Sequence, residues 1–189
     1  WRGGEMVQMS SRSGQFVTLR DLRKEVGNDA ARFYYVMRKS EQHIDFDLDL
    51  AVSQSKDNAV YYIEYAHARV NRMVDVRAPE KNIAFDRTQL AHYDVSILVS
   101  NTETELLAKL AAYPEIVTRA ANAYEPHQIG NYLKELAALF HGWYAQDDVK
   151  ILDEQNIALS QARLVLSLNV QQVLKNGLTL LGVSAPESM

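Results

Sequence analysis

Residues 59–76 read Ala59-Val60-Tyr61-Tyr62-Ile63-Glu64-Tyr65-Ala66-His67-Ala68-Arg69-Val70-Asn71-Arg72-Met73-Val74-Asp75-Val76. Asn58 precedes the run, and its side chain suits the cap of a first helical turn. Val60, Ile63, His67, Val70 and Val74 follow helical spacing and share one side. Tyr62, Tyr65, Arg69 and Arg72 fall on the opposite side. The stretch therefore predicts a helix with an apolar back and a front of two phenol rings and two guanidinium groups. Unpaired RNA bases stack on Tyr and Arg planes, and Arg also meets phosphate. The same front also suits a bundle whose tyrosines line the core with their hydroxyls at its edge. His67 reads as a core or interfacial histidine, because no second His or carboxylate stands at metal-ligand spacing around it.

Toward the N-terminus the pattern stays mostly helical. Thr18 and Asp21 have capping-box spacing for a helix that stops at Gly27. Asn28 or Asp29 then caps a second helix to about Lys39, with Ala30, Phe33, Tyr34, Val36 and Met37 as its apolar residues. Residues 43–50 change period. Ile44, Phe46, Leu48 and Leu50 alternate with Asp45, Asp47 and Asp49, which predicts an extended segment with a solvated acidic face. A cation on that face would need further ligands.

Toward the C-terminus, residues 77–88 read as a polar linker. Four helices are predicted beyond it: roughly 89–112 with a break near Ser100-Asn101, Pro114–Asn122, Pro126–Tyr144, and Glu154–Asn176 closed by Gly177. The tail from Leu178 to Met189 turns at Gly182 and Pro186. No internal repeat or low-complexity tract is present. The expected fold is all-α, an antiparallel helical bundle with a short non-helical lead-in segment.

The 189 residues suffice for one domain or one and a half, with 47% hydrophobic and 23% charged residues, as a soluble globular core requires. No apolar run reaches the roughly 18 residues of a membrane span. With no cysteine, disulfides and thiolate metal sites are excluded. The net charge of -4 argues against strong non-specific nucleic-acid binding. The charge is uneven, however: residues 1–40 hold eight Lys/Arg against four Asp/Glu, and the remainder is acidic. A confined basic and aromatic face can still attract phosphate, because screening acts over about 8–10 Å. The abrupt start, Trp1-Arg2-Gly3-Gly4, has neither an initiator Met nor a signal-peptide pattern and reads as a piece of a longer chain.

Near that start, Glu5 to Gly14 reads as a short strand leading into a Ser/Arg/Gly loop, which offers hydroxyl, amide and guanidinium donors to phosphate. No Walker pattern, Gly-x-Gly-x-x-Gly, nucleophile elbow or zinc motif occurs.

Several segments together resemble the class I arginyl-tRNA synthetases. Gln8-Met9-Ser10-Ser11-Arg12-Ser13-Gly14 is similar to that family's KMSKS loop, with Gln8 and Ser11 where lysines would stand and Arg12 as the remaining charge. Val17-Thr18-Leu19-Arg20-Asp21-Leu22 resembles the helix after it, and Asp29-Ala30-Ala31-Arg32-Phe33 the Asp-Ala-x-Arg element. His43 to Ala51 resembles the stem segment, and Tyr61 to Arg69 the first helix of the anticodon-binding bundle. Glu125-Pro126, Tyr132-Leu133, Glu135-Leu136 and Phe140 resemble a later helix. The ending from Gly177 to Met189 resembles the family's C-terminus.

The resemblance implies residues 1–55 as the end of a catalytic domain, carrying the KMSKS-like loop Gln8, Met9, Ser10, Ser11 and Arg12 and stem helices. It implies residues 56–189 as a DALR-type anticodon-binding bundle. Tyr62, Tyr65, Arg69, Tyr144 and Met189 would then face tRNA-Arg, with Trp143 left in the core. The whole enzyme would be a cytoplasmic, monomeric arginine–tRNA ligase using ATP with Mg. The HIGH-type signature has no equivalent here, so this segment is expected to be inactive alone, with no cofactor or metal of its own. Two other readings stay open: a helical protein-interaction module, and the equivalent domain of another class I synthetase such as the cysteine enzyme.

Overall fold

A computed structural model describes residues 1, 3–5, 18–39, 41–42, 45–146 and 149–189. The KMSKS-like positions Gln8, Met9, Ser10, Ser11 and Arg12 lie outside the described residues, as do His43 and Ile44. Among the described residues the regular elements are helical throughout.

Helix α1 spans Leu19–Val26, and its capping box forms as read: Thr18 accepts from the Asp21 N–H, and Asp21 accepts from the Thr18 N–H. Helix α2, Asn28–Val36, follows directly, and Gly27 takes a φ of 86° between the two. It ends three residues before Lys39. The extended reading of the 43–50 segment is corrected over residues 48–50. Asp47 accepts the Leu50 N–H at 2.9 Å and caps helix α3, Leu48–Val52. A local cap overrides the alternation there. Asp49 faces elsewhere, accepting the Gly3 N–H at 2.6 Å, so the three aspartates do not share a strand face.

Helix α4, Ala59–Arg72, continues through a π-turn at Met73–Arg77 into a short helix α5, Ala78–Glu80. The expected linker at 77–88 therefore begins as helix. Pro79 cannot donate to the carbonyl one turn back, and the widened turn accommodates its ring. The predicted helix over 89–112 is shorter than read. A 3-10 turn at Leu90–His92 precedes helix α6, Asn101–Ala111. Asp86 and Asp94 each accept the N–H two residues on, from Thr88 and Ser96, and these local turns compete with a helix. Ser100 and Glu103 then form the capping box that starts α6.

Helices α7, Tyr113–Ala123, and α8, His127–Tyr144, match their predicted spans within a residue. Helix α9 runs Ile157–Leu181, starting where the Asn156 side chain accepts the Leu159 N–H. Gly177 does not close it. A Cβ at Gly177 would lie 2.5 Å from Leu133 Cδ2, so this glycine lets α8 and α9 approach. Gly182, at φ 68°, closes the helix instead, and Val183 N–H returns to Leu178 O at 2.9 Å.

Helices α4, α8 and α9 pack on one another, with α6 and α7 against α8 and α2 reaching all three. Ile63, Ala66 and Val70 of α4 meet Leu133, Leu136 and Phe140 of α8 and Leu164, Val170, Leu174 and Leu178 of α9 in one fully buried core. The apolar back of α4 faces the bundle, as its spacing predicted, so its front is left at the surface.

Candidate nucleic-acid interface

The front of α4 forms one wall of a groove of about 660 Å³. Its opposite walls are Tyr144, at the end of α8, and the C-terminal residues Glu187, Ser188 and Met189. At its centre the Arg69 guanidinium lies between two rings, 4.5 Å from the Tyr65 centroid and 4.5 Å from the Tyr144 centroid. Both distances are within cation–π range. Arg69 Nη2 donates to Tyr65 Oη at 2.9 Å, and Nη1 donates to His141 Nδ1 at 2.9 Å. Tyr65 also stacks on Tyr61, with centroids 6.0 Å apart and planes 5° from parallel. Tyr65 and Tyr144 keep 36% and 38% of their surface exposed, and Met189 keeps 55%, so each presents an apolar face to solvent.

Of the five residues expected to face a partner, four meet here: Tyr65, Arg69, Tyr144 and Met189. Tyr62 sits behind them. It is partly buried against the core, and its ring centroid is 4.4 Å from that of His141. Trp143 is fully buried, as expected. Sequence reading missed His141 and Arg77. His141 lies one turn before Tyr144 on α8, and that i, i+3 spacing is a legible signal. Arg77 reaches the groove because the π-turn rotates it there, and no periodicity reveals that.

The C-terminal wall is tied down residue by residue. His67, 3% exposed, donates from Nδ1 to Pro186 O at 2.8 Å, and Asn71 donates to Glu187 O at 3.3 Å. Arg32 Nε donates to Leu181 O at 2.7 Å, and Ser184 Oγ donates to the Asp29 carboxylate. The Asp-Ala-x-Arg element thus clasps the end of α9 and the tail that follows. Burial lowers the pKa of His67, against the pull of the Pro186 carbonyl, and keeps the ring neutral.

The groove is lined by three arginines, Arg69, Arg72 and Arg77, against the carboxylates of Asp75 and Glu187. Asp75 is paired with Arg87 at 2.9 Å, and Arg77 with Glu80 at 3.0 Å. Among the described residues Arg69 and Arg72 are in no ion pair. Rings flanking a guanidinium, with cations beside them, can stack unpaired bases and hold phosphate. Among the described residues there is no group of three or more metal-ligating side chains, and no helix is long and apolar enough to cross a membrane.

Comparison with known proteins points the same way. The family profile of the DALR anticodon binding domain matches residues 63–189. The arginine–tRNA ligase of Acinetobacter baylyi is 74% identical over 189 residues, 100% of this chain and 31% of that protein. That of Psychrobacter cryohalolentis is 57% identical, covering 100% and 32%. The chain thus spans about a third of the length of the curated relatives it matches. Among solved structures, a crystal structure from Campylobacter jejuni assigned as an arginyl-tRNA synthetase superposes with a TM-score of 0.82 at 26% identity, over 100% of this chain and 38% of that one. Thermus thermophilus arginyl-tRNA synthetase gives 0.70 at 26% identity, over 95% and 29%.

Proposed function

Because the chain belongs to the DALR anticodon-binding domain family, we propose that its groove binds the anticodon loop of tRNA-Arg. The observation that carries this reading is the Arg69 guanidinium held between the exposed rings of Tyr65 and Tyr144, with Met189 beside them. An anticodon loop presents splayed bases, which stack on such planes while base edges are read by hydrogen bonds. Of the residues expected to face the RNA, Tyr62 takes a supporting place behind the groove.

The relatives are named arginine–tRNA ligases, and for the whole protein we propose ATP-dependent attachment of arginine to tRNA-Arg, with Mg on the nucleotide, by a cytoplasmic monomer. Residues 56–189 are the anticodon-binding bundle in this proposal, a division supported by the profile match over residues 63–189. Residues 1–55 belong to the end of the catalytic domain, with Gln8, Met9, Ser10, Ser11 and Arg12 in its KMSKS-like loop. Activation of arginine needs donors and positive charge on the departing pyrophosphate. Those groups lie mostly in the two thirds of the relatives outside this chain. The 189 residues alone should therefore show no arginine-dependent ATP–pyrophosphate exchange, and exchange from a pure sample would overturn that.

The binding test is affinity for a tRNA-Arg anticodon stem-loop at fixed salt. Tyr65→Ala should weaken binding by about 1–3 kcal/mol. A folded Tyr65→Ala chain that binds as tightly as wild type would move the interaction-module reading ahead for this surface.

A further inference from the structure

The interface as described leaves one buried polar group without a role. His141, 7% exposed, faces the guanidinium from behind the groove. Arg69 Nη1 can only donate, so His141 Nδ1 must be its acceptor. The imidazole proton is then on Nε2, which donates to Tyr62 O at 3.2 Å. One ring nitrogen is anchored to the backbone of α4, and the other fixes the plane of Arg69. The Tyr62 ring packs against the imidazole at 4.4 Å and the Tyr65 ring at 5.7 Å, so its orientation is set by packing as well.

An arginine side chain is long and flexible, and it binds better when its ordering cost is met before the ligand arrives. A carboxylate in place of His141 would hold Arg69 as firmly, but it would cancel the charge that a phosphate needs. A neutral acceptor orders the guanidinium and leaves its charge in place. We propose that His141 is a positioning residue of the RNA interface, a neutral imidazole that presets Arg69 between Tyr65 and Tyr144 as a platform for an unpaired base. This deepens the anticodon-binding reading and rests on it.

The experiment uses the 189-residue chain and a tRNA-Arg anticodon stem-loop, with thermal melts for every variant. The side-chain oxygen of His141→Asn can stand where Nδ1 stands. The amide of His141→Gln reaches the place of Nε2 and supplies no acceptor at Nδ1. His141→Gln should weaken binding roughly tenfold to a hundredfold, as loss of a hydrogen bond to a charged group predicts. His141→Asn should restore affinity to within about threefold of wild type, a spread of roughly 0.7 kcal/mol. In an Arg69→Ala background, His141→Gln should add no further loss.

Wild-type affinity in His141→Gln would overturn the proposal. So would equal losses in the Asn and Gln variants, or a full further loss in the Arg69→Ala background. If His141→Gln melts far below wild type, His141→Leu against His141→Asn makes the same comparison, since Leu fills the space without an acceptor. If the wild-type chain itself does not bind the stem-loop, the anticodon-binding reading fails and takes this proposal with it. That result differs from binding that ignores His141.

Discussion

The seam between α6 and α9 and the front of α4 each hold an arginine, and they use it in opposite ways. Arg163 of α9 is buried, donates from Nε to Glu103 Oε1 at 2.7 Å and from Nη1 to Lys150 O at 2.8 Å. Glu103, 1% exposed, also accepts the Ser100 N–H at 3.0 Å. One pair therefore joins the cap of α6, the second turn of α9 and the loop before it. Among the described residues Arg69 has no carboxylate partner, and it contacts two phenols and a neutral imidazole. A guanidinium matched to a carboxylate is committed to the fold. One held only by neutral groups is ordered and still carries its charge outward.

The largest effect that can break this contrast is at the seam. Arg163→Met leaves a buried carboxylate without its partner and should cost about 3–5 kcal/mol of stability, read from the midpoint of urea unfolding. Burial pushes the pKa of Glu103 up, but the donors on Arg163 and Ser100 outweigh it and hold the carboxyl below its ordinary value. A lowered acid stabilises the fold above its unfolded pKa and loses that contribution as pH falls through its folded pKa. The gap between wild type and Arg163→Met should thus narrow in acid. A loss below about 1 kcal/mol at neutral pH would put this pair with ordinary surface bridges.

The groove arginine should behave in the reverse manner. Arg69→Met keeps a flexible apolar stem between the rings but takes the donor from buried His141 Nδ1, so stability should fall by about 1–2 kcal/mol, less than at the seam. Binding of the anticodon stem-loop should weaken by about 1.5–3 kcal/mol. If Arg69 meets one phosphate, the slope of log affinity against log salt should become shallower by about 0.7. An unchanged slope with weaker binding would mean that Arg69 acts by stacking alone. A large loss of stability would make it a second structural arginine.

The two arginines also differ in how far the sequence reveals them. Tyr65, Arg69 and Arg72 share a helical stripe, so steps of three and four place them together on α4 before any fold is known. The same arithmetic places the buried face of Val60, Ile63, His67, Val70 and Val74. Tyr144 and Met189 came only through family resemblance, because no local pattern says that the end of α8 and the chain's last residues meet α4. The seam was not legible: Glu103 and Arg163 stand 60 residues apart, and a charged residue on an amphipathic helix reads by default as solvated. Elements were misread where a single side chain outranked periodicity. Asp47 turned the end of an alternating run into a helix, and Asp94 replaced part of a predicted helix with a turn. Gly177 sits within α9, where it makes room for Leu133. A glycine that ends a helix and one that admits a neighbour look alike in sequence.

The smallest effect sharpens the contrast from the acidic side. Glu64 lies five residues before Arg69 on α4, more than a third of the way around the helix, and it faces the α2 side with Asp29. Among the described residues no cation pairs with it. Burial, and then the charge of Asp29, push its pKa up to about 7. Glu103 and Glu64 are therefore shifted in opposite directions, one by partners and one by the lack of them. A raised acid favours the fold below its unfolded pKa, and that contribution is lost as pH rises through about 7. Glu64→Gln should accordingly be more stable than wild type at pH 8, by about 1–2 kcal/mol once partial exposure is allowed for. The advantage should disappear below about pH 4.5, where the wild-type carboxyl is protonated in both states. His141 runs the other way. Burial, helped by the charge of Arg69, lowers its pKa to about 4, so its contribution is lost as pH falls from 6.5 toward that value. Across pH 5–7 the fall with pH that Glu64 imposes on wild-type stability should therefore be opposed by the rises that His141 and the likewise lowered His67 impose. Glu64→Gln should expose the rise with pH that the two buried histidines impose. Melts of both proteins from pH 5 to 8 decide it: parallel curves would mean that Glu64 has a neutralising partner after all.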